Sequence, residues 1–169
     1  MTIHTDHPFV PADGDKDAFR RLRGRLPGPA TVVATGTGRS RAGLTVSSLL
    51  LVDGPAPAVT LFVDPDSDLG ESLEVGASAA VSVLQAGDDW LAEVFAGQAP
   101  APGGMFTVGT WLDSPWGPRL QDRSWCGFTV GEVREVGWSV QVTGAVTQIG
   151  IEAATGVAHA RGRFHDLAR

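Results

Sequence analysis

Short runs of β-branched and apolar residues recur along this chain, and glycine or proline separates most of them. Seven runs have lengths typical of strands: residues 30–35, 43–52, 58–63, 79–84, 124–133, 138–149 and 157–165. The 22 glycines and 11 prolines supply the turns between them. Because strands this short leave open edges unless the sheet closes on itself, we expect a mainly β fold built on an antiparallel barrel, with two or three short helices.

The first expected helix spans residues 13–26. Phe19, Leu22 and Leu26 recur there at helical spacing, with arginines on the other face. Proline and glycine follow directly and end the helix. Residues 1–14 are polar and contain two prolines, so they are expected to form an irregular N-terminal arm ahead of a single domain over residues 15–169.

Two further short helices are expected. One follows the acidic turn at residues 64–68, where Ser67 or Asp68 is the expected cap. The other covers residues 88–96. Their inward-facing residues are expected to be Leu69, Leu73 and Val75 in the first, and Trp90, Leu91, Val94 and Phe95 in the second. The segment 98–116 is long and rich in proline and glycine, which is typical of functional loops, and we expect it to act as a lid.

Composition limits the class of protein. The formal net charge is −6 and the hydrophobic content 43%, which indicates a globular chain and argues against nucleic-acid binding. No apolar run is long enough to span a bilayer, and the N-terminus does not resemble a secretory signal. The single cysteine, Cys126, allows no intrachain disulfide and is expected to be a buried thiol. These features favour a cytoplasmic protein.

Positive charge is concentrated in the first third of the chain. It is carried by Lys16, Arg20, Arg21, Arg23, Arg25, Arg39 and Arg41. Two interpretations remain open: these residues form a solvated helix face, or some of the arginines reach an anionic ligand.

Three hydroxyl groups stand close together in the apolar segment 42–49. In a continuous strand, Thr45 and Ser47 would point to one face, and Val46 and Ser48 to the other. The hydroxyls either face water on a half-buried strand or donate hydrogen bonds to an anion or polar ligand.

No catalytic signature is evident from the residues themselves. The chain has no G-x-S-x-G or H-E-x-x-H motif and no paired-cysteine zinc spacing. Residues 36–38 (Gly-Thr-Gly) predict a hairpin turn rather than a dinucleotide-binding loop. His159 and His165 would share a face of one strand, but two histidines alone are too few ligands for a metal. We therefore assign no catalytic or metal-binding residue.

The order of these segments resembles the flavin reductase-like family, whose fold is an FMN-binding split β-barrel. The likeness runs from Phe19 to Leu167. The segments that carry it are Phe19-Arg20, Leu26-Pro27, Thr31-Val32-Val33, Gly43-Leu44-Thr45-Val46-Ser47-Ser48, Ser67, Val81-x-Val83-Leu84, Leu91-Ala92-x-x-Phe95-Ala96-Gly97, Gly117-Pro118-x-Leu120, Trp125, Gly144-x-Val146 and Gly162-Arg163-Phe164.

This resemblance implies a homodimer that binds FMN, or FAD, near the subunit interface. NADH or NADPH would be the co-substrate, and reduced flavin would diffuse to a partner monooxygenase. The segment 45–48 and Ser67 would contact the ribityl chain and phosphate, and Arg39 or Arg41 could neutralise charge. The residues implied in flavin binding are Arg41, Gly43, Leu44, Thr45, Val46, Ser47, Ser48, Ser67, Ser82, Phe95 and Phe164.

The chain departs from the family pattern at three places. Gly137-Trp138-Ser139 stands where the family usually carries Gly-Asp-His, whose histidine approaches the nicotinamide. Ser82 replaces a common asparagine, and Leu69 a threonine. Because hydride transfer needs no protein acid or base, we expect an NAD(P)H-dependent flavin reductase. The alternatives are a flavin-binding protein without nicotinamide-dependent activity and an interaction barrel with an empty groove.

Overall fold

The computed structural model describes residues 18–167. Over this range the chain forms three short α-helices: α1 (Ala18–Arg23), α2 (Asp68–Ser72) and α3 (Asp89–Phe95). Single 3₁₀ turns occur at Gly38–Ser40 and Met105–Thr107. The strands are β1 (Gly28–Pro29), β2 (Thr31–Thr35), β3 (Ala42–Val46), β4 (Leu49–Val52), β5 (Ala58–Val63), β6 (Ser78–Val83), β7 (Trp111–Leu112), β8 (Arg119–Leu120), β9 (Trp125–Val136), β10 (Ser139–Gly150), β11 (Val157–Ala160) and β12 (Arg163–Asp166).

Seven strands form one antiparallel sheet, in the order β3-β2-β6-β9-β10-β5-β4. Its two edge strands, β3 and β4, are consecutive in the chain and are joined only by Ser47 and Ser48. Val46 and Leu49 therefore lie within about 11 Å of each other, so the sheet must curl until its edges meet. The backbone N–H of Phe62 in β5 donates to the Ser48 carbonyl at 3.0 Å. The mainly β, antiparallel split-barrel prediction is confirmed.

The prediction of one continuous strand over residues 43–52 is wrong. The chain leaves one sheet edge after Val46 and joins the other at Leu49, where β4 pairs with β5. Apolar residues continue across this break, so hydrophobicity alone gave no sign of it. Because Ser47 and Ser48 lie outside both strands, the expected alternation of hydroxyls between two faces does not apply to them.

The prediction of one strand over residues 157–165 is also wrong. β11 and β12 form a hairpin, and with β1 they make a three-stranded sheet. Arg161 and Gly162 make the two-residue turn, with φ angles of 52° and 73°; positive φ at both positions is typical of a type I′ turn. His159 and His165 therefore lie on different strands. Since Ala158 is paired with His165, the two histidines point to opposite faces.

The other predicted strands are confirmed to within a few residues, and β5 matches its predicted bounds. The hairpin predicted at residues 36–38 is confirmed, because β2 and β3 pair antiparallel across it. Ser67 caps α2, as predicted, by accepting a hydrogen bond from the Gly70 N–H. Leu69 and Leu73 are buried, whereas Val75 is exposed.

The residues that helices α3 and α1 bury differ from those predicted. α3 buries Leu91, Ala92, Val94 and Phe95, whereas Trp90 is exposed. Because Ala92 belongs to the buried face of α3, that face is centred away from Trp90. Helix α1 ends at Arg23, earlier than predicted, and its apolar residues Phe19, Leu22 and Leu26 are 58–68% exposed. The N-terminal arm and the predicted start of this helix lie outside the described residues.

Within the described residues, two hydrophobic cores stabilise the fold. The first fills the barrel and contains the fully buried side chains Phe128, Leu61, Val59 and Val142. The second lies between α3, β2 and the loop that follows α3. It contains Phe95, Leu84, Leu91, Val94 and Leu120. The seam at Ser47–Ser48 follows β3, which contacts both α2 and α3.

Candidate functional site

A polar cleft of about 390 Å³ opens beside the seam where the barrel closes. A volume of this size lies within the range typical of small-molecule sites. We call it the arginine cleft and define it by its polar lining residues: Arg20, Arg23, Ser47, Ser48, His159 and Arg161. Its walls are the C-terminal end of α1 and the β11–β12 turn, and the seam forms its third side.

Backbone contacts fix the three sides of the arginine cleft against one another. A Cβ atom on Gly28 would lie 2.6 Å from the Ser47 carbonyl oxygen, so only glycine lets β1 approach the seam this closely. Gly28 is paired with His159 of β11. The Arg161 N–H donates to the Gly24 carbonyl at 3.0 Å. The arginines therefore project from a backbone that is already held in place.

In the predicted binding segment, the hydroxyl groups of Ser47 and Ser48 are available to a ligand. Within residues 18–167, neither side chain makes a hydrogen bond, whereas Thr45 donates to the Ala92 carbonyl at 2.7 Å. The Ser82 side chain is fully buried and accepts from the Leu120 N–H at 3.0 Å. The Thr45 and Ser82 hydroxyls thus join neighbouring elements, while Ser47 and Ser48 present theirs to the cleft.

The loop that carries Ser67 follows β5, the strand that bonds to the seam. The Ser67 hydroxyl donates to the Asp64 carbonyl at 2.7 Å and accepts from the Gly70 N–H at 3.0 Å. The loop is acidic, since Asp64, Asp66 and Asp68 are all exposed in it. Its two local hydrogen bonds stabilise the start of α2.

Phe95 and Gly43 belong to an aromatic cluster below the surface. The Phe95 ring lies 5.1 Å from the rings of both Phe106 and Trp111. A Cβ atom on Gly43 would lie 2.8 Å from Phe95 and 3.1 Å from Phe106, so a side chain there would displace the cluster. Phe164 packs against the same core and its ring lies 5.1 Å from that of His159.

The segment 98–116 packs onto this aromatic cluster through Phe106 and Trp111. Arg41 holds it from the side. The Arg41 guanidinium pairs with Asp113 at 2.7 Å and lies 5.7 Å from the centre of the Phe106 ring. The structure thus places the segment over α3, and a role as a lid stays a prediction.

The structure brings together only part of the predicted flavin-binding set. Ser47 and Ser48 line the arginine cleft, and Ser67 lies in the loop after β5. Arg41 is at the other end of β3, beyond the buried Val46 and the half-buried Leu44. The individual roles of these residues remain predictions.

Sequence reasoning missed Arg161 and His159 as residues of the cleft, and it left the role of Arg20 and Arg23 open. Arg20 and Arg23 belong to the basic N-terminal third, for which an anionic ligand was one of the two open interpretations. Arg161 and His159 come from the other end of the chain, and only the pairing of β1 with β11 brings them to the seam. Gly162, between two short β runs, was the available signal for a turn there.

A second, apolar surface lies on another part of the barrel. Its concavity is about 420 Å³, and we call it the apolar face. We define it by six of its lining residues: Leu50, Leu51, Val52, Cys126, Ile149 and Ile151. Edge strand β4 exposes about two thirds of Leu50 and Leu51. An exposed apolar area of this kind is typical of an interaction surface.

We expect Cys126, on this face, to make the stability of the protein depend on pH in the alkaline range. Burial raises the pKa of its thiol to about 11. Above pH ~9 the unfolded thiol loses its proton while the native thiol keeps it, so stability is complete below that pH and falls as the pH rises to about 11. We expect the free energy of unfolding to fall by about 2–3 kcal/mol over this interval.

Denaturant unfolding at several pH values measures this fall. The background is low because the chain has no tyrosine and a single lysine, Lys16. Cys126→Ala removes the titrating group, so its stability should be flat over the same interval. An equal fall in this variant would assign the transition to another group.

Neither a metal site nor a membrane-spanning helix is found among the described residues. No three histidine, cysteine, aspartate or glutamate side chains in that part of the chain could together hold a metal ion. No helix within residues 18–167 is long and apolar enough to cross a membrane.

Comparison with known families gives a match over most of the chain. The model of the flavin reductase like domain matches residues 23–168. The FMN reductase (NADH) RutF of Methylorubrum extorquens is 28% identical over 109 residues, which cover 64% of this chain and 53% of that protein. An NADH-dependent FAD reductase of Streptomyces globisporus is 35% identical over 89 residues, or 53% of this chain and 48% of that protein. The chain thus spans about half the length of these two curated relatives.

A solved structure agrees over a larger share of both chains. The Streptomyces globisporus C-1027 NADH:FAD oxidoreductase SgcE6, in complex with NAD and FAD fragments, superposes with a TM-score of 0.80 at 27% identity. The match covers 89% of this chain and 91% of that chain.

Proposed function

This chain belongs to the flavin reductase-like domain family, and we propose that it is an NADH-dependent flavin reductase. The observation that carries the proposal is the family match over residues 23–168, together with two relatives that are both named as NADH-dependent flavin reductases. One relative is named for FMN and the other for FAD, so the proposed substrate is a flavin nucleotide of either kind.

The seam of the barrel is the proposed flavin contact. Ser47 and Ser48 have hydroxyls that are not used by the described part of the protein, which fits the donors that a polar flavin requires. The hydrogen bonds of Thr45 and Ser67 hold α3 and the α2 loop in place around the seam. When bound, flavin accepts a hydride from the nicotinamide. The contribution of the chain is to position the two rings and to exclude water.

The β9–β10 turn carries one of the three departures of this chain from the family pattern. Trp138 is 68% exposed at the tip of the turn, next to Gly137 and Ser139. No histidine stands there to approach the nicotinamide. Because hydride transfer needs orientation rather than a proton donor, we propose that the reaction proceeds without it. The same departure supports the second candidate, a flavin-binding protein that lacks nicotinamide-dependent turnover.

A double Ser47→Ala, Ser48→Ala variant tests the flavin contact. Loss of two donors should weaken flavin binding by about tenfold or more, as measured by quenching of flavin fluorescence. Ser40→Ala is the matched control, because Ser40 is an exposed serine in the β2–β3 hairpin, away from the cleft. Parent-like affinity in the double variant would remove Ser47 and Ser48 from the proposed site.

A second copy of the chain is the proposed partner for the apolar face. The support is the exposed edge strand β4, together with Ile149 and Ile151 beside it. Sedimentation should give a dimer, and Leu51→Asp should shift it towards monomer. A monomeric parent protein would contradict this assignment.

The remaining proposals concern the setting of the reaction. We propose that reduced flavin leaves the protein and reaches a partner monooxygenase by diffusion, as the family resemblance implies. Consumption of NADH, together with a single cysteine that forms no intrachain disulfide, favours the cytoplasm.

A further inference from the structure

We propose that the arginine cleft binds the phosphate groups of the nucleotide that the enzyme uses. This inference rests on the proposed function and concerns the part of the ligand that the hydride transfer does not need. The shared chemistry is a phosphate or diphosphate, which flavin nucleotides and NADH both carry.

The charge of the cleft is opposite to that of the whole chain. The protein has a formal net charge of −6, yet Arg20, Arg23 and Arg161 line one cleft of about 390 Å³. No aspartate or glutamate is among the described residues that line it. Guanidinium groups bind phosphates through paired hydrogen bonds, so an anion there would gain several donors and meet no carboxylate among the described lining residues.

Arg20 supplies an independent sign of a missing partner. Its Nη1 atom is buried, and within the described residues it has no hydrogen-bond acceptor. A buried donor that is left unsatisfied is unfavourable. A phosphate oxygen that reaches this atom would be an acceptor of the required charge.

Arg161 occupies a turn position that does not favour arginine. Its φ angle is 52°, and the first central position of a type I′ turn favours asparagine, aspartate or glycine. The turn is also tied to α1 by the bond from the Arg161 N–H to the Gly24 carbonyl. The chain thus keeps a cation at a strained position, and strained residues of this kind are concentrated at binding sites.

The Ser67 loop is a poorer place for a phosphate. Asp64, Asp66 and Asp68 surround Ser67, whose hydroxyl already makes two local hydrogen bonds. Like charges would repel a phosphate there. In this chain we therefore assign the phosphate to the arginine cleft, although the family resemblance implies Ser67.

Three flavins of increasing charge test the proposal. Riboflavin has no phosphate, FMN has one and FAD has a diphosphate, so the parent protein should bind FMN and FAD more tightly than riboflavin. The Arg161→Asn, Arg23→Ala variant should lose about tenfold or more of that advantage and keep the parent affinity for riboflavin. Added salt should weaken FMN binding and leave riboflavin binding unchanged.

The choice of variants separates binding from folding. Asparagine is favoured at position 161, so Arg161→Asn alone should keep or raise the Tm. Arg21→Ala is the matched control, because Arg21 is an exposed arginine of the same helix that does not line the cleft. The control should bind all three flavins like the parent.

A KM for NADH that rises in the double variant, with FMN affinity unchanged, would also support the cleft and assign its phosphate to NADH. Calorimetry with inorganic pyrophosphate separates this proposal from the proposed function. Pyrophosphate bound by the parent and not by the double variant would support the cleft even if no flavin binds. If the double variant leaves FMN, FAD and pyrophosphate affinities and the KM for NADH all unchanged, the proposal is overturned.

Discussion

Phe128→Ala should lower the free energy of unfolding by about 3–5 kcal/mol, which is typical of a phenylalanine removed from a packed core. Phe128 is fully buried in the barrel core. It lies in the middle of the sheet, paired with Ala79 of β6 on one side and Val146 of β10 on the other. Hydrogen-bonded strands on both sides prevent the site from collapsing, so the cavity should persist.

Urea unfolding followed by tryptophan fluorescence measures this loss. Since small domains are stable by only about 5–15 kcal/mol, the variant should unfold at a much lower urea concentration. Trp138→Ala is the control: it removes a larger side chain from an exposed turn and should change stability by less than about 0.5 kcal/mol. A small effect at Phe128 would mean that the barrel core is not packed as described.

Arg123→Ala should lower the free energy of unfolding by a comparable amount, because it removes the partner of a buried charge rather than core volume. Arg123 donates two hydrogen bonds of 2.8 Å to Asp88, whose carboxylate also accepts from the Gln85 N–H. Asp88 is only 8% exposed. These hydrogen bonds raise the pKa of Arg123. Without the guanidinium, Asp88 keeps a buried charge without its cation, and we expect a loss of about 3–5 kcal/mol.

A double-mutant cycle on Asp88 and Arg123 separates the pair from its parts. Asp88→Asn, Arg123→Ala should be less destabilised than the sum of the single variants, since it leaves no unpaired charge. Asp113→Ala is the control, because it breaks the Arg41–Asp113 pair, whose carboxylate side chain is 69% exposed. That variant should cost at most about 1 kcal/mol. Equal losses from the two pairs would contradict the assigned difference in burial.

The spacing of apolar residues was sufficient to predict most strands of the barrel. It failed where a two-residue connection divides one apolar run into two strands. β5 and β10 have clear strand patterns between turns, and both were placed within a residue. At Ser47 and Ser48 the apolar pattern continues while the chain passes from one sheet edge to the other. Only the closure of the sheet, a property of all seven strands, ends β3 there. The Arg161–Gly162 turn was missed because it has only two residues, and the short runs on either side of it together have the length of a single strand.

The candidate site was predictable in its serines and not in its arginines. Ser47 and Ser48 lie in a motif that is local in sequence. Arg161 and Arg20 are 141 positions apart in the chain and meet only because β1 pairs with β11. Gly43 and Phe95 were recognised by the same family pattern, and the structure places them in an aromatic core. A family motif thus identifies residues that resemble the family pattern without separating groups that bind from groups that pack.

Anaerobic reduction of flavin tests the central claim most directly. The purified protein is mixed with excess FMN or FAD, NADH or NADPH is added, and bleaching of the flavin absorption band is followed against a protein-free control. We expect catalytic bleaching well above the control with NADH, which would show that the turn carrying Trp138 suffices without a histidine. Bleaching no faster than the control, with flavin binding confirmed by fluorescence quenching in the same sample, would contradict the reductase and leave a flavin-binding protein.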